Sequence, residues 1–244
     1  MERITLGISS CLLGEPVRYD GQHKRDAFLA DALGRFVDWV PVCPEVACGL
    51  PVPRESMHLE KDAEGRVRLI TTRTRRDLTE QMEEWIGRIL PELAARDLRG
   101  FVFKSKSPSS GMRGVKRTTA EGHPAGAGPG LFAAAFMARF PLLPVEDEGR
   151  LNDPGLRENF IERIFVYDRW RACEADGSLG ALVAFHTAHK LVLMSHSPAA
   201  LRTLGRIVAG AKGRDATAVR AEYLAALMPT LALLATPAKQ TNVL

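Results

Sequence analysis

The chain has 244 residues, of which 45% are hydrophobic, 25% charged and 7% aromatic, all within the ordinary range for a globular protein. Its longest uncharged apolar runs fall well short of the ~20 residues that a membrane-spanning helix needs, and no charged segment followed by a long apolar core opens the chain. The net charge is +4. We therefore expect a cytoplasmic protein with neither a secretory signal nor a membrane span.

The first 145 residues alternate strand-like and helix-like segments. Short apolar, β-branched runs predict strands at residues 4–9, 36–42, 67–71, 100–103 and 142–145. Helix-like stretches cover residues 25–33, 78–95 and 129–139. The glycine-rich segment 122–130 is predicted to be a flexible loop. Strands that alternate with helices are typical of an α/β domain with a Rossmann-like, mostly parallel sheet.

The sequence changes character after residue 145. A polar, turn-rich segment leads into a helix-like stretch over about 156–175, which the run Asp-Gly-Ser at 176–178 interrupts. From residue 179 onward the pattern is helical only. We therefore predict an α/β domain over residues 1–150, a connecting helix over 151–177 and a small, basic all-α domain over 178–244.

Three loops that follow predicted strands carry the unusual residues of the sequence. They read SSCLLG at 9–14, which runs into VRYDG at 17–21, PVCPEVACGLPVPRE at 41–55 and KSKSPSSG at 104–111. In parallel sheets, ligands gather at the loops that leave the carboxyl ends of strands. Cys11 and Cys43 lie beside prolines and glycines that fix the backbone, as rigid metal ligation requires. The alternative is that both are small buried core residues, because two scattered cysteines without a CxxC motif do not identify a metal.

Ordered motifs connect this chain with a known family. SSCLLG and VRYDG, then CPEV with GLPVPRE, then FKSKSPSSG make residues 3–145 resemble the TudS-like thiouracil desulfidase family. The tail, with FHTAHKLVLMSHSP, LGRIVA and KQTNVL, resembles the YbgA-like helical domain that is fused to it in longer members. Those longer members are associated with removing sulfur from 4-thiouridine in tRNA. In related sequences the helical domain continues past TNVL, so we expect the domain over 178–244 to be truncated.

The resemblance implies a [4Fe–4S] cluster that three cysteines hold, one from each loop. Cys11 and Cys43 match the first two ligands, and the third position falls on Ser110, where the family pattern reads SPSCG. A hydroxyl is a poor iron ligand beside a thiolate, so we expect this chain to assemble the cluster weakly or to lack it. Cys48 lies in the second loop rather than the third, and Cys173 lies outside the matched region, so neither is expected to replace the missing ligand.

The resemblance also implies a reaction without net redox change, in which water adds to the carbon that carries the sulfur. Glu45 of the CPE motif matches the family's catalytic glutamate and is the expected general base. Ser107 matches a serine near the substrate. Lys104 and Lys106 are expected to face the RNA backbone or to stabilise developing negative charge. The alternatives are a helix-cap or salt-bridge role for Glu45 and plain solvation for the two lysines.

Positive charge is concentrated in the tail. After residue 177, seven Lys and Arg residues stand against Asp215 and Glu222, which gives +5 and leaves −1 for the preceding residues. A near-neutral body with a basic appendage indicates an anionic partner, nucleic acid first. Arg202 and Arg206 are the expected phosphate contacts. The alternative is an ordinary solvated helix surface.

Three of the six histidines, His186, His189 and His196, also lie in the tail. Their spacing puts two of them on one helix face, but no fourth ligand stands at a suitable spacing for zinc. We therefore expect these histidines to pack in the core or to contact phosphate.

These observations lead to one preferred function and two alternatives. The preferred function is a cluster-dependent desulfidase that acts on 4-thiouridine in tRNA. The first alternative is the same chemistry on a free thiouracil base, which would need no extended cationic surface. The second is a non-catalytic RNA-binding protein that has lost its cluster, and Ser110 is the feature that favours it.

Overall fold

The structure is a computed structural model, which describes residues 3–235, 238 and 241. The chain forms two compact units. The first comprises the residues up to Pro141 together with Val145–Leu151, and the second comprises Leu142–Pro144 and the residues from Asn152 onward. The helix predicted to connect the two domains lies in the second unit. The domain limits given in the sequence analysis remain predictions. No helix in the described part is long and apolar enough to cross a membrane.

The first unit contains eight strands and three α-helices within the described residues. The strands are β1 (Ile4–Ser9), β2 (Val37–Val42), β3 (Met57–Lys61), β4 (Val67–Thr71), β5 (Phe101–Phe103), β6 (Val115–Thr118), β7 (Pro124–Gly128) and β8 (Val145–Asp147). The helices are α1 (Pro44–Ala47), α2 (Thr79–Ala95) and α3 (Leu131–Arg139). The segment predicted as a helix over 25–33 forms a π-helical turn, Phe28–Ala32, followed by a 3-10 turn, Leu33–Arg35.

A wholly parallel sheet forms the centre of the first unit, which confirms the predicted α/β class. Its strands lie in the order β2-β1-β5-β8, and each neighbouring pair runs in the same direction. β1 is buried along almost its whole length, as a strand covered on both faces should be. Phe101 and Phe103 of β5 pack against Phe132 and Phe136 of α3, with ring centroids 4.4–6.1 Å apart across this group. These rings form the core between the sheet and α3.

A second sheet was not predicted. Its order is β4-β3-β6-β7, with β3 parallel to β6 and antiparallel pairs at both edges. The segment predicted as a strand at 67–71 belongs to this sheet. The prediction of a flexible loop over 122–130 is wrong at Pro124–Gly128, because this segment pairs with β6. Its sequence, PAGAG, has no apolar period, so the sequence pattern gave no sign of this strand.

Helix is the regular secondary structure that the second unit shows within its described residues, which confirms the predicted all-α region. Its helices are α4 (Pro154–Asp176), α5 (Leu179–Ala188), α6 (Lys190–His196), α7 (Pro198–Ala209) and α8 (Ala216–Leu231). Side chains that accept a backbone N–H cap four of them: Asp153, Ser178, Ser197 and Asp215. Trp170 and Tyr223 stack at 5.4 Å in its core, where Cys173 is also buried. The unit therefore has a hydrophobic core of its own.

Close packing at Gly7 in the central strand generates a stability prediction. A Cβ atom at Gly7 would overlap the ring of Phe101, whereas one at Gly87 of α2 would meet no atom within 4 Å. We expect Gly7→Ala to lower the free energy of unfolding by about 1–3 kcal/mol through overpacking. Gly87→Ala should raise it by about 0.5–1 kcal/mol, because alanine is the better helix former. Chemical unfolding of both variants measures this, and equal effects at the two positions would contradict it.

Candidate active site

The three loops predicted to carry the chemistry meet at the carboxyl edge of the parallel sheet. They follow β1, β2 and β5, three adjacent strands with β1 in the middle. Together they line a cavity of about 360 Å³. The structure thus brings together seven predicted residues at its wall: Cys11, Cys43, Glu45, Lys104, Lys106, Ser107 and Ser110.

The first loop presents Cys11 from a short 3-10 helix, Ser10–Leu13, that begins where β1 ends. Gly14 closes this turn in the left-handed region, with φ of 101°. Cys11 is only 8% exposed. Burial raises the pKa of its thiol to about 11, against an opposing effect of the Lys104 ammonium and with a further rise from the nearby Cys43. The Cys11 side chain is therefore a protonated thiol at neutral pH.

The second loop presents Cys43 and Glu45 around the start of α1. Burial raises the pKa of the Cys43 thiol, and the Glu45 carboxylate adds to this effect. The Cys43 sulfur donates weakly to the carbonyl of Val17, 3.9 Å away, so it lies against the start of the VRYDG segment. Cys48 behaves differently, because its sulfur donates to the carbonyl of Glu45 at 3.2 Å and it does not line the cavity.

Both carboxylate oxygens of Glu45 accept hydrogen bonds from neighbouring side chains. Arg54 donates from Nε to Oε2 at 3.0 Å and from Nη2 to the same oxygen. Ser109 donates to Oε1 at 2.9 Å, and the Ser107 hydroxyl lies 3.5 Å from that oxygen. The side chains of Arg54 and Glu45 are 5% and 13% exposed. This arrangement fixes the orientation of a carboxylate in the cavity wall, where it can accept a proton.

The third loop contributes a residue that the sequence analysis missed, Ser109. It is 1% exposed, and its hydroxyl lies 3.0 Å from that of Ser107. The serine run in KSKSPSSG was the available signal, but the family match pointed only to Ser107 and Ser110 in this run. Ser110 is 3% exposed, and its N–H donates to Ser107 Oγ at 3.1 Å. The loop therefore places the hydroxyl-bearing residue at position 110 in the same wall as the two thiols.

The two lysines of the third loop have different surroundings. The Lys104 ammonium forms an ion pair with Glu148. The backbone N–H of Lys104 donates to Ser9 Oγ at 2.9 Å, which ties the third loop to the end of β1. The sequence analysis missed Glu148, which follows the fourth parallel strand. Lys106 is exposed at the cavity and has a φ of 59°, a left-handed conformation that costs a non-glycine residue about 1–3 kcal/mol. Of the two lysines, Lys106 is the one whose surroundings suit contact with an anion.

The predicted RNA contacts lie in the second unit. Arg202 and Arg206 are exposed, one turn apart on α7. Two other basic residues of this unit have internal partners: Arg214 pairs with Glu222, and Arg220 donates to the carbonyl of Gly177. Within the described residues, neither Arg202 nor Arg206 forms a salt bridge.

The three tail histidines are buried and bonded inside the helical unit. His186 Nδ1 lies 3.0 Å from the Tyr223 hydroxyl, His189 Nδ1 lies 2.7 Å from the carbonyl of Phe185, and His196 pairs with Glu162. Burial lowers the pKa of both His186 and His189. In the part of the chain that the structure describes, no three His, Cys, Asp or Glu side chains are placed to hold a metal. These histidines therefore pack in the core.

Comparison with known proteins identifies the class to which this site belongs. The 2-thiouracil desulfurase family matches residues 6–148, and the chain belongs to that family. Residues 190–244 match DUF1722, a family of proteins of unknown function. A solved structure of a [4Fe-4S]-dependent thiouracil desulfidase, TudS, is 33% identical; the match covers 62% of this chain and 94% of that one, with a TM-score of 0.48. None of the curated proteins matches the chain. Both predicted resemblances are confirmed.

Proposed function

We propose that this protein is a desulfidase that replaces the sulfur of a thiolated uracil with oxygen from water, and that its substrate is 4-thiouridine in tRNA. The observation that carries the reaction is the Glu45 carboxylate, which Arg54 and Ser109 hold in the wall of the cavity. Membership of the desulfurase family supports the reaction class. The exposed arginines of α7 support an RNA substrate.

The residues of the cavity suit hydrolysis of a carbon–sulfur bond. Glu45 accepts a proton from water as the water oxygen bonds to the thiocarbonyl carbon. The carbon–sulfur bond then breaks, the sulfur leaves as hydrogen sulfide with the protons of that water, and a carbonyl remains on the ring. Ser107 lies beside the same carboxylate oxygen as Ser109 and can hydrogen-bond the ring or the attacking water. No electron transfer is required.

The cavity supplies an incomplete set of ligands for a [4Fe–4S] cluster like that of TudS. Cys11 and Cys43 offer two thiols, and the buried residue at the third position, Ser110, offers a hydroxyl. Cys48 faces the backbone of its own loop, so it does not complete the set. The residues present therefore do not fit a cluster held by three thiolates. We infer that desulfidation depends on such a cluster and that this chain assembles it poorly.

The incomplete ligand set predicts the result of cluster reconstitution. After anaerobic incubation with iron and sulfide, the parent chain should hold far less than four irons and four sulfides per chain. Ser110→Cys should restore a full complement, because a thiolate replaces the hydroxyl at a buried position already in the cavity wall. Ser109→Cys is the matched control: Ser109 is equally buried in the same wall but does not occupy the third ligand position of the family motif, so this change should not restore the cluster. A parent chain that already holds a full complement would show that the ligand assignment is wrong.

A second prediction concerns the general base. In a Ser110→Cys background, Glu45→Gln should keep its iron and sulfide yet release sulfide from thiolated uracil at least about 100-fold more slowly, because an amide cannot accept a proton from water. Glu92→Gln, at an exposed position on α2, is the control and should leave the rate unchanged. Turnover near the parent rate with an intact cluster would remove Glu45 from the mechanism.

A third prediction concerns the RNA partner. Replacing Arg202 and Arg206 by alanine should weaken tRNA binding and flatten its dependence on salt, because each lost phosphate contact lowers the log–log slope by about 0.7–0.9. The control is Arg214→Ala with Glu222→Ala, which removes a salt-bridged pair and leaves the net charge unchanged. Binding isotherms across a salt series measure both. Equal affinities and slopes for parent and variant would favour the free thiouracil base as substrate.

Ser110 also supports a second candidate, an RNA-binding protein that no longer holds a cluster. The decisive measurement is sulfide release from 4-thiouridine-containing tRNA by the parent chain, with its iron content determined in the same sample. Release in proportion to bound iron supports the desulfidase. Tight tRNA binding without release, even in Ser110→Cys with a full cluster, supports the second candidate.

A further inference from the structure

An exposed aromatic side chain stands at the mouth of the cavity. Tyr19 lines the cavity and is 44% exposed. The Arg18 guanidinium lies 5.5 Å from the centre of its ring, and the carbonyl of Tyr19 accepts the N–H of Arg54 at 2.8 Å. The same arginine that holds Glu45 therefore also fixes the backbone that carries this ring. A planar, partly exposed ring at a cavity mouth is suited to stacking.

An arginine-rich turn, which we call the arginine loop (residues 72–76, TRTRR), is anchored to Glu55 and Ser56, the two residues that follow Arg54. Thr72 donates its N–H to the carbonyl of Ser56 at 2.9 Å, and the hydroxyls of these two residues lie 3.1 Å apart. The Glu55 carboxylate accepts the N–H of Thr74 at 2.7 Å and also that of Arg73. Ser56 itself lines the cavity. The arginine loop is therefore fixed beside the cavity wall.

The three arginines of the arginine loop divide into one structural and two available side chains. Arg75 donates from two guanidinium nitrogens to Glu60, at 2.9 Å for Nη2 and Oε2. Arg73 and Arg76 are exposed, and within the described residues neither guanidinium forms a salt bridge or donates a hydrogen bond. Because the backbone beneath them is already ordered, binding of an anion would have to order only the two side chains.

We propose that Tyr19 and the arginine loop, which we together call the rim, bind the RNA strand on either side of the thiolated base. Tyr19 stacks on a neighbouring base, and Arg73 and Arg76 bind phosphates. This inference rests on the proposed RNA substrate and adds a contact surface within the first unit. A base must leave its stack to enter the cavity, which presents its flanking nucleotides to the rim. Single-stranded nucleic acid uses both groups, because aromatic faces stack on bases and guanidinium groups bind phosphates. An acidic protein segment would use the arginines but not the ring.

The test measures binding of a short single-stranded RNA that contains one 4-thiouridine. Fluorescence anisotropy gives the affinity at each salt concentration of a series. Arg73→Ala with Arg76→Ala should weaken binding and lower the log–log salt slope by about 1.4, or about 0.7 for each phosphate on a single strand. Tyr19→Ala should weaken binding about tenfold with the slope unchanged, whereas Tyr19→Phe, which keeps the aromatic face, should bind like the parent. Arg88→Ala with Arg96→Ala, both exposed in the first unit, is the charge-matched control and should leave the slope unchanged.

Three outcomes would overturn the inference: an equal loss in the control pair, parent-like binding by the loop variant, or competition by polyglutamate as strong as that by RNA. The last would indicate an acidic protein partner instead. Far-UV circular dichroism of each variant establishes that it is folded. The binding assay needs no turnover, so its result does not depend on whether the protein is a desulfidase. Sulfide release tests the proposed function in a separate assay. If the protein releases sulfide and the rim variants bind RNA like the parent, only the rim is rejected. If the rim variants lose binding but the protein releases no sulfide, only the desulfidase is rejected.

Discussion

β1 forms hydrogen bonds with β2 on one side and β5 on the other, all in the same direction. Parallel strands end at the same edge of a sheet, so this pairing places the residues that follow all three strands around one cavity. Cys11 follows β1, Cys43 follows β2, and the serine loop follows β5. The close approach of Gly7 to Phe101 is part of the same constraint, because it sets how β1 and β5 pack. The second sheet extends this arrangement, since β3 begins directly after the segment that holds Glu45 and Tyr19.

The buried contact between Arg54 and Glu45 connects the proposed general base with the segment that carries Tyr19. Taking two charges out of water is costly, and a pair of this kind is kept only when further hydrogen bonds satisfy its atoms. Arg54 meets that condition by donating to the carbonyls of Val17 and Pro51 as well as to Glu45. Ser109 donates to the other carboxylate oxygen. One guanidinium group therefore holds together the VRYDG segment, the CPE motif and the end of the second loop.

The sequence was sufficient to predict helices and strands that have a clear apolar period. It was also sufficient to predict the site residues that directly follow such strands. β1 and α2 were predicted within one or two residues, because buried faces leave a regular pattern. β3, β6 and β7 were missed, since MHLEK, VKRT and PAGAG carry no such pattern and form strands by pairing with one another. The pairing of Lys104 with Glu148 was missed because it joins residues 44 apart in the chain, which only the fold brings together. The cavity was predictable because its residues sit at strand ends, and Ser109 was missed because its role depends on a contact with another loop.

Burial of the two cavity thiols affects how reactive they are in the newly made protein. A thiol whose pKa lies near 11 is almost wholly protonated in a neutral solution, and it is the thiolate that reacts with oxidants and electrophiles. Cys11 is therefore shielded twice, by its low exposure and by its proton. The same desolvation protects Cys43 in the same sense. Before a cluster is assembled, both cavity cysteines are therefore held mainly as thiols, the form that reacts slowly with oxidants and electrophiles.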